Sequence, residues 1–238
     1  MPLPFFYIER YDSSASLVTL NEETSKHVIQ VLRMKVGEQL NLTDGKGTLL
    51  TAIITEAHKK NCVVNIQAVS HEVKATRKTT IAISLVKNAS RFEWFLEKAT
   101  EIGVREIIPL VCERTERQYF RYDRMKGIVV SAMLQSQQTW LPVLHAPVTF
   151  HEYVSQTEIS TDGQNMIAHC EEVSKKSILQ IMEGGVSMYN ILIGPEGDFT
   201  KDEIELALAN HYKPVALGQT RLRTETAGVV AATILCMQ

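Results

Sequence analysis

No two cysteines in the chain stand close enough to form a C-x-x-C motif. Cys62, Cys112, Cys170 and Cys236 are widely separated. That spacing argues against a metal cluster and against a disulfide framework, and it fits a reducing cytosol. Long apolar runs are missing too. The longest uncharged stretch, Gly127 to His151, is interrupted by glutamines, Ser131, Ser136 and two prolines, so no membrane span is expected. The N-terminus, MPLPFFYIER, reaches charge at Glu9, and a signal peptide's apolar core is not expected there. Charge of one sign is not in excess, since the formal net charge is −2. The chain as a whole is therefore not a basic nucleic-acid binder. Three familiar site motifs are absent. Without G-x-G-x-x-G after a strand, a dinucleotide of the usual kind is unsupported, and without G-x-x-x-x-G-K-[ST] there is no P-loop. Without G-x-S-x-G there is no nucleophile elbow. Neither an internal repeat nor a low-complexity segment is present.

What remains is an ordinary globular composition, 45% hydrophobic and 22% charged over 238 residues. The charge is unevenly spread. Residues 75–126 carry 11 Lys and Arg against 7 Asp and Glu, whereas residues 127–238 carry 6 against 12. The middle of the chain can attract a polyanion and the tail cannot, unless the basic residues simply form a solvated helix face. From Ile81 onward apolar runs alternate with helical patterns. Strands are expected at 81–86, 106–111, 165–170, 190–194 and 214–218. Helices are expected at 91–103, within 124–138, near 174–182, from a Thr200/Glu203 capping box to about Asn210, and at 226–237. This β-α alternation predicts an α/β domain with a mostly parallel sheet. Residues 1–72 read as a small β-rich barrel, with a helix near 22–33 and strands around 39–43, 48–56 and 62–70. The boundary falls in the polar stretch 71–80.

Two loops stand out. "LIGPEGDFTKDEI" places Gly194, Pro195, Glu196 and Gly197 directly after a strand, and "LGQTRLRTET" places a polar loop with two arginines after the next one. Ligands in such sheets sit at the carboxyl ends of strands, and glycine lets backbone approach them. Two loops at one edge point to a pocket, although either alone reads equally well as a plain glycine turn. His169, at another strand end, reads as structural. A phosphate site at the helix start near 200 has only Lys201 as a nearby cation.

Those two segments, with "RFEWFLEKATEIGV" upstream and "HVIQVLRMKVGEQLNLTDGKG" near the start, resemble the RsmE family of ribosomal RNA uridine-N3 methyltransferases, of the SPOUT class. The resemblance covers nearly the whole chain. It implies a PUA-like RNA-binding β-barrel in 1–72 and a SPOUT methyltransferase domain in 73–238, whose last strand, loop and helix thread a trefoil knot. It implies S-adenosylmethionine as cofactor, bound by Ile193, Gly194, Pro195, Glu196, Gly197, Leu217, Gly218, Leu222, Arg223, Thr224 and Thr226. Thr224 or Thr226 is expected to cap the last helix. Uridine N3 carries a proton at neutral pH, so a base or a cation beside the charged oxygens is required. Arg223 and Glu225 are the candidates, unless they pair with each other or cap the helix. The 16S ribosomal RNA of the small subunit is the implied partner. Arg10, Arg33, Lys35, Lys46, Lys87, Arg91, Arg114 and Arg117 are the candidate RNA contacts, though each read singly is a solvated surface charge. The resemblance also implies a cytoplasmic homodimer without metal. The chain departs from the family at Leu134 and Gln138, where a glutamate and a basic residue are usual. A non-catalytic ribosome-binding or assembly factor with the same fold is the alternative at this point.

Overall fold

The structure, a computed structural model, describes residues 3–116, 118–157, 162–171, 175–182 and 186–237. The chain divides into two compact units, Met1–Lys74 with Met133–Leu141, and Ala75–Ala132 with Pro142–Gln238.

The first unit holds β1 (Phe5–Tyr7), β2 (Leu17–Thr19), α1 (Glu22–Lys26), β3 (Gln39–Thr43), β4 (Thr48–Glu56) and β5 (Val63–His71). The strands form one sheet in the order β1-β3-β4-β5-β2. Period-two burial drives it: Leu50, Ala52 and Ile54 of β4 turn inward to meet Leu40, Leu42 and Val64. Register shifts at Thr51/Ala52 and Ile54/Glu56 bend the long β4–β5 pair. The helix expected over 22–33 is shorter. Asn21 caps α1 by accepting from the Thr24 amide, but the chain then passes into a π-helical turn, His27–Val31, and Arg33 takes φ 56°. The sequence reading did not include β1 and β2.

Nor did it place 133–141 with this unit. The Leu141 amide donates to the Gly45 carbonyl at 2.8 Å, and the Gly47 amide to the Thr139 carbonyl at 2.9 Å. The Trp140 ring covers Gly47 so closely that a Cβ there would lie 2.5 Å from it. Thr139 donates its hydroxyl hydrogen to Glu72. Gly45 and Gly47 both have positive φ, 69° and 93°, so the Asp44–Gly47 turn needs its glycines for backbone shape as well as for space.

The second unit holds β6 (Lys78–Ser84), α2 (Ala89–Ile102), β7 (Glu106–Val111), α3 (Tyr122–Gln135, its last residues in the first unit), β8 (Val143–Leu144), β9 (Val148–Thr149), α4 (Phe150–Gln156), β10 (Gly163–Ala168), β11 (Lys176–Ser177), α5 (Ile178–Met182), β12 (Met188–Ile193), α6 (Lys201–Ala209), β13 (Lys213–Ala216) and α7 (Thr224–Cys236). The sheet runs β11-β13-β10-β12-β6-β7-β8, with β9 also beside β7, and every pairing is parallel. Strands buried on both faces explain the apolar runs of the sequence. Ala82, Ile167 and Leu192 face a cluster built by Phe150 and Val154 of α4 and Ile204 and Ala207 of α6. On the other face, Ile83 of β6 and Phe95 of α2 close on Gly228 of α7, where a Cβ would come within 2.6 Å of Phe95. Gly103 ends α2 in the left-handed conformation (φ 98°), as its position predicts.

Candidate active site

β10, β12 and β13 are adjacent and parallel, so the loops at their carboxyl ends emerge at one sheet edge. They enclose a cavity of about 660 Å³, within the range of small-molecule sites. Ala168–Cys170, Ile193–Glu196 with Asp198, and Val215–Thr224 line it.

The loop after β12 is fastened on every side. Asp198 takes φ 64°, a turn conformation that an aspartate tolerates. Its Oδ2 accepts from the Cys170 amide at 2.8 Å and its Oδ1 from the Phe199 amide at 2.9 Å. Arg114 donates through Nη1 to the Gly197 carbonyl at 2.7 Å. The Thr224 hydroxyl donates to the Gly194 carbonyl at 2.9 Å. At Gly194 a Cβ would sit 3.1 Å from the Phe199 ring, so glycine lets the two pack. Beyond the loop, the Thr200/Glu203 capping box forms as expected. Glu203 is buried, and its carboxylate also accepts from the Glu113 amide at 2.9 Å. The start of α6 thus already holds a negative charge of its own, which leaves no welcome for a phosphate there.

The loop after β13 is different. Gly218 lines the cavity, and a Cβ built on it meets nothing within 4 Å. Gln219, Thr220, Arg221 and Arg223 are exposed, and no side-chain hydrogen bond or ion pair joins them to another described residue. His169 lies against the same cavity, only 8% exposed, with neither ring nitrogen hydrogen-bonded. Burial, then the nearby Lys175 ammonium, pushes its pKa below the usual 6.5, against weaker opposing effects of Asp198 and Glu171. The ring is therefore neutral at pH 7.

A family model described as an RNA methyltransferase domain matches residues 73–236, and one described as an RNA methyltransferase PUA domain matches residues 20–67. The chain belongs to the RNA methyltransferase family. A relative from Synechocystis sp., named ribosomal RNA small subunit methyltransferase E, is 30% identical over 219 residues, covering 90% of this chain and 71% of that protein. A crystal structure of a probable rRNA-methyltransferase from Porphyromonas gingivalis superposes with a TM-score of 0.86 at 36% identity, over 98% of this chain and 96% of that one. A ribosomal RNA small subunit methyltransferase E from Neisseria gonorrhoeae, solved bound to S-adenosyl methionine, gives 0.86 at 26% identity, with the same coverage of both chains. The SPOUT-type sheet and the PUA domain expected from the resemblance are those of this RNA methyltransferase family.

Of the residues expected to hold cofactor, Ile193, Gly194, Pro195, Glu196, Leu217, Gly218, Leu222, Arg223 and Thr224 line the cavity. Gly197 and Thr226 do not. Gly197 faces the Arg114 side chain, 3.3 Å from where its Cβ would be. The expected cap needs correction: α7 begins at Thr224, its N-cap is Arg223, and no side chain caps it. Thr224 spends its hydroxyl on Gly194, tying one loop to the other. Arg223 and Glu225 do not pair either. Arg223 opens on the cavity, while Glu225 is buried, with Oε1 3.6 Å from Arg91 Nε and Oε2 without a hydrogen-bond partner.

Among the expected RNA contacts in this unit, Lys87 and Arg91 follow β6 at the carboxyl edge of the sheet. Both are engaged. The Lys87 amide donates to Glu196 at 3.1 Å and its ammonium pairs with Glu116 at 2.7 Å, while Arg91 faces Glu225. Arg114 holds Gly197. Arg117 lies outside the described residues. In the first unit Arg10, Arg33, Lys35 and Lys46 are all exposed. Among the site residues that sequence reasoning missed are Cys170, Lys175, Asp198 and Arg221, with His169 read as structural. The signal available was the strand end at 168–170, a third chain segment at the edge already named.

Proposed function

We propose that the protein methylates N3 of a uridine in the 16S ribosomal RNA of the small ribosomal subunit, with S-adenosylmethionine as the methyl donor. The observation that carries this is the open space beside Gly218, in a cavity walled by the two glycine-bearing loops and lined by nine of the expected residues. The donor set fits the cofactor. Backbone amides and carbonyls along 193–196 and 217–224 suit an adenine edge and an amino-acid end, and Leu217 and Leu222 suit the ring faces. When bound, the cofactor supplies a methyl group on a positively charged sulfur.

The protein's own part is positioning and charge. In-line displacement needs the uridine held against the edge of the cavity, and the fastened loop after β12 gives it a fixed wall to be held against. Arg223, exposed and without a carboxylate partner among the described residues, stands at that edge to stabilise the negative charge that O2 or O4 gains as N3 gives its proton to solvent water. Glu225 keeps Arg91 in place and so acts as a positioning residue. The first unit, with Arg10, Arg33, Lys35 and Lys46 exposed, grips the RNA through phosphates and leaves the cofactor to the second. The division at 72/73 that the resemblance implies follows this split of labour. The C-terminal strand, loop and helix thread the preceding loop as a knot, two chains form a homodimer, and the enzyme works in the cytoplasm with its subunit substrate. Among the described residues, no helix is long and apolar enough to cross a membrane.

The test is methyl transfer from labelled S-adenosylmethionine to small subunits that lack the modification, with the modified base mapped by nuclease digestion and mass spectrometry. A 3-methyluridine at one site supports the reading. Tight cofactor binding without transfer would instead mark a non-catalytic ribosome-binding factor.

A further inference from the structure

The segment that leaves β7 is anchored at both ends and displays an aromatic ring between them. At its start Thr115 Oγ1 accepts from the Cys112 amide at 2.8 Å and meets Ser84 Oγ at 2.9 Å, and Arg114 reaches the Gly197 carbonyl. At its end the Phe120 ring stands edge-on to Phe92, 6.0 Å between centroids, and the Tyr122 hydroxyl donates to the Leu144 carbonyl at 3.0 Å. Arg124 makes a two-pronged pair with Glu93, at 2.6 and 2.9 Å. Between these fixed points Tyr119 is 64% exposed, and the Arg121 guanidinium lies 5.5 Å from its ring centroid.

An exposed aromatic alone means little. This one has a cation stacked beside it, and it stands on the loop that leaves the sheet at the cofactor edge. Arg124 is spent on Glu93, and the rest of the local charge still favours an anion: residues 114–126 otherwise hold four Arg and Lys against Glu116 and Asp123. Glu116 is already neutralised by Lys87, and no carboxylate lies within ion-pair distance of Arg121 among the described residues. Planar rings and guanidinium groups side by side are what an unstacked nucleobase and its phosphate bind.

We propose that Tyr119 and Arg121 form a stacking platform for an unpaired base flanking the methylated uridine, Tyr119 taking the base face and Arg121 the adjoining phosphate. The inference rests on the reading of the protein as an RNA methyltransferase acting on the small subunit. Its role is to hold the strand while the target base enters the site, so it governs binding of the RNA and leaves cofactor binding untouched.

The experiment uses the full chain and compares Tyr119→Ala, Tyr119→Phe, Tyr119→Leu and Arg121→Gln with wild type. The readouts are KM and kcat on unmodified small subunits, the salt dependence of subunit binding, and calorimetric S-adenosylmethionine affinity. Tyr119→Ala should raise KM about tenfold, the size of one lost base stack, with kcat nearly unchanged. Tyr119→Phe should stay within about twofold, because the ring face survives. Arg121→Gln should weaken binding and lower the salt slope by about one counterion. All four should bind cofactor as wild type does. A wild-type KM in Tyr119→Ala overturns the platform. So does full recovery in Tyr119→Leu, which would mark an apolar protein contact on the subunit. A wild-type enzyme that methylates no subunit defeats the functional reading itself, and the platform with it.

Discussion

Two of the three loops that enclose the cavity leave strands of one sheet with only β10 between them, yet they are built on opposite plans. The loop after β12 has its carbonyls and its carboxylate committed to Arg114, Thr224, Cys170 and Phe199. The loop after β13 presents Gln219 to Arg223 to solvent, and beside Gly218 there is open space. One wall is finished before any ligand arrives. The other offers backbone and charge that a ligand would complete. A site with one fixed wall keeps the reacting geometry, while the second wall leaves room beside Gly218 for a ligand.

The comparison can be broken from either side. The largest effect belongs to the open wall. Gly218→Val should cut S-adenosylmethionine affinity by roughly 3 kcal/mol, about a hundredfold, by filling space that the ligand needs. Its circular dichroism and urea midpoint should match wild type, because a Cβ there touches nothing within 4 Å. Unchanged calorimetric affinity would show that the cavity is elsewhere. Next comes the fixed wall. Asp198→Ala removes two backbone hydrogen bonds at a residue with φ 64°. Urea unfolding should register a loss of about 2 kcal/mol. Asp198→Asn, which tolerates that conformation and keeps one acceptor, should recover more than half of it.

A smaller effect is set by pH. The imidazole of His169 binds its proton less readily in the folded chain than in the unfolded one, because burial and Lys175 oppose the charge. Its neutral form is favoured above the usual 6.5. As pH falls below that value the unfolded chain takes up the proton first, and stability declines. Denaturant titrations at pH 7.5 and 5.5 should therefore show a loss of up to about 1.4 kcal/mol per pH unit that is smaller in His169→Gln. An identical decline in the variant would assign it to other groups. The smallest effect is expected for Arg223→Ala. Stability should stay within about 0.5 kcal/mol, as for an exposed side chain without partners, while kcat on small subunits falls. A stability loss above 1 kcal/mol would mean that this wall, too, is built in advance.

Sequence patterns carried the frame of the molecule because burial leaves a period. The apolar runs at 106–111 and 190–194 and the Thr200/Glu203 spacing are local features, and the structure has them nearly where expected. β1 and β2 were illegible, since three residues offer too little alternation to detect. The grouping of 133–141 with the first unit was equally hidden. It depends on Trp140 finding Gly47, and no local signal encodes a contact between residues so distant in the chain. Within the site, Gly194, Gly218 and the Leu217–Thr224 loop could be read, because ligand approach demands residue types, whereas Gly197 turned out to face Arg114. The partners of Glu225 and Arg114 could not. A charged residue's sequence neighbourhood says nothing about which carboxylate or carbonyl folding brings to it. For that reason the contacts of Arg91 with Glu225 and of Arg114 with Gly197 were not legible.

Hydrogen exchange, followed by mass spectrometry over peptides spanning 194–200 and 217–223, tests the unequal walls most directly. Without ligand, the amides that donate at Asp198, Phe199 and Thr200 should already be protected, and those of 217–223 should exchange fast. Saturating S-adenosylmethionine should slow exchange strongly in 217–223 and barely alter 194–200. Equal protection of the two loops before ligand is added, or protection gained only in 194–200, would contradict the account.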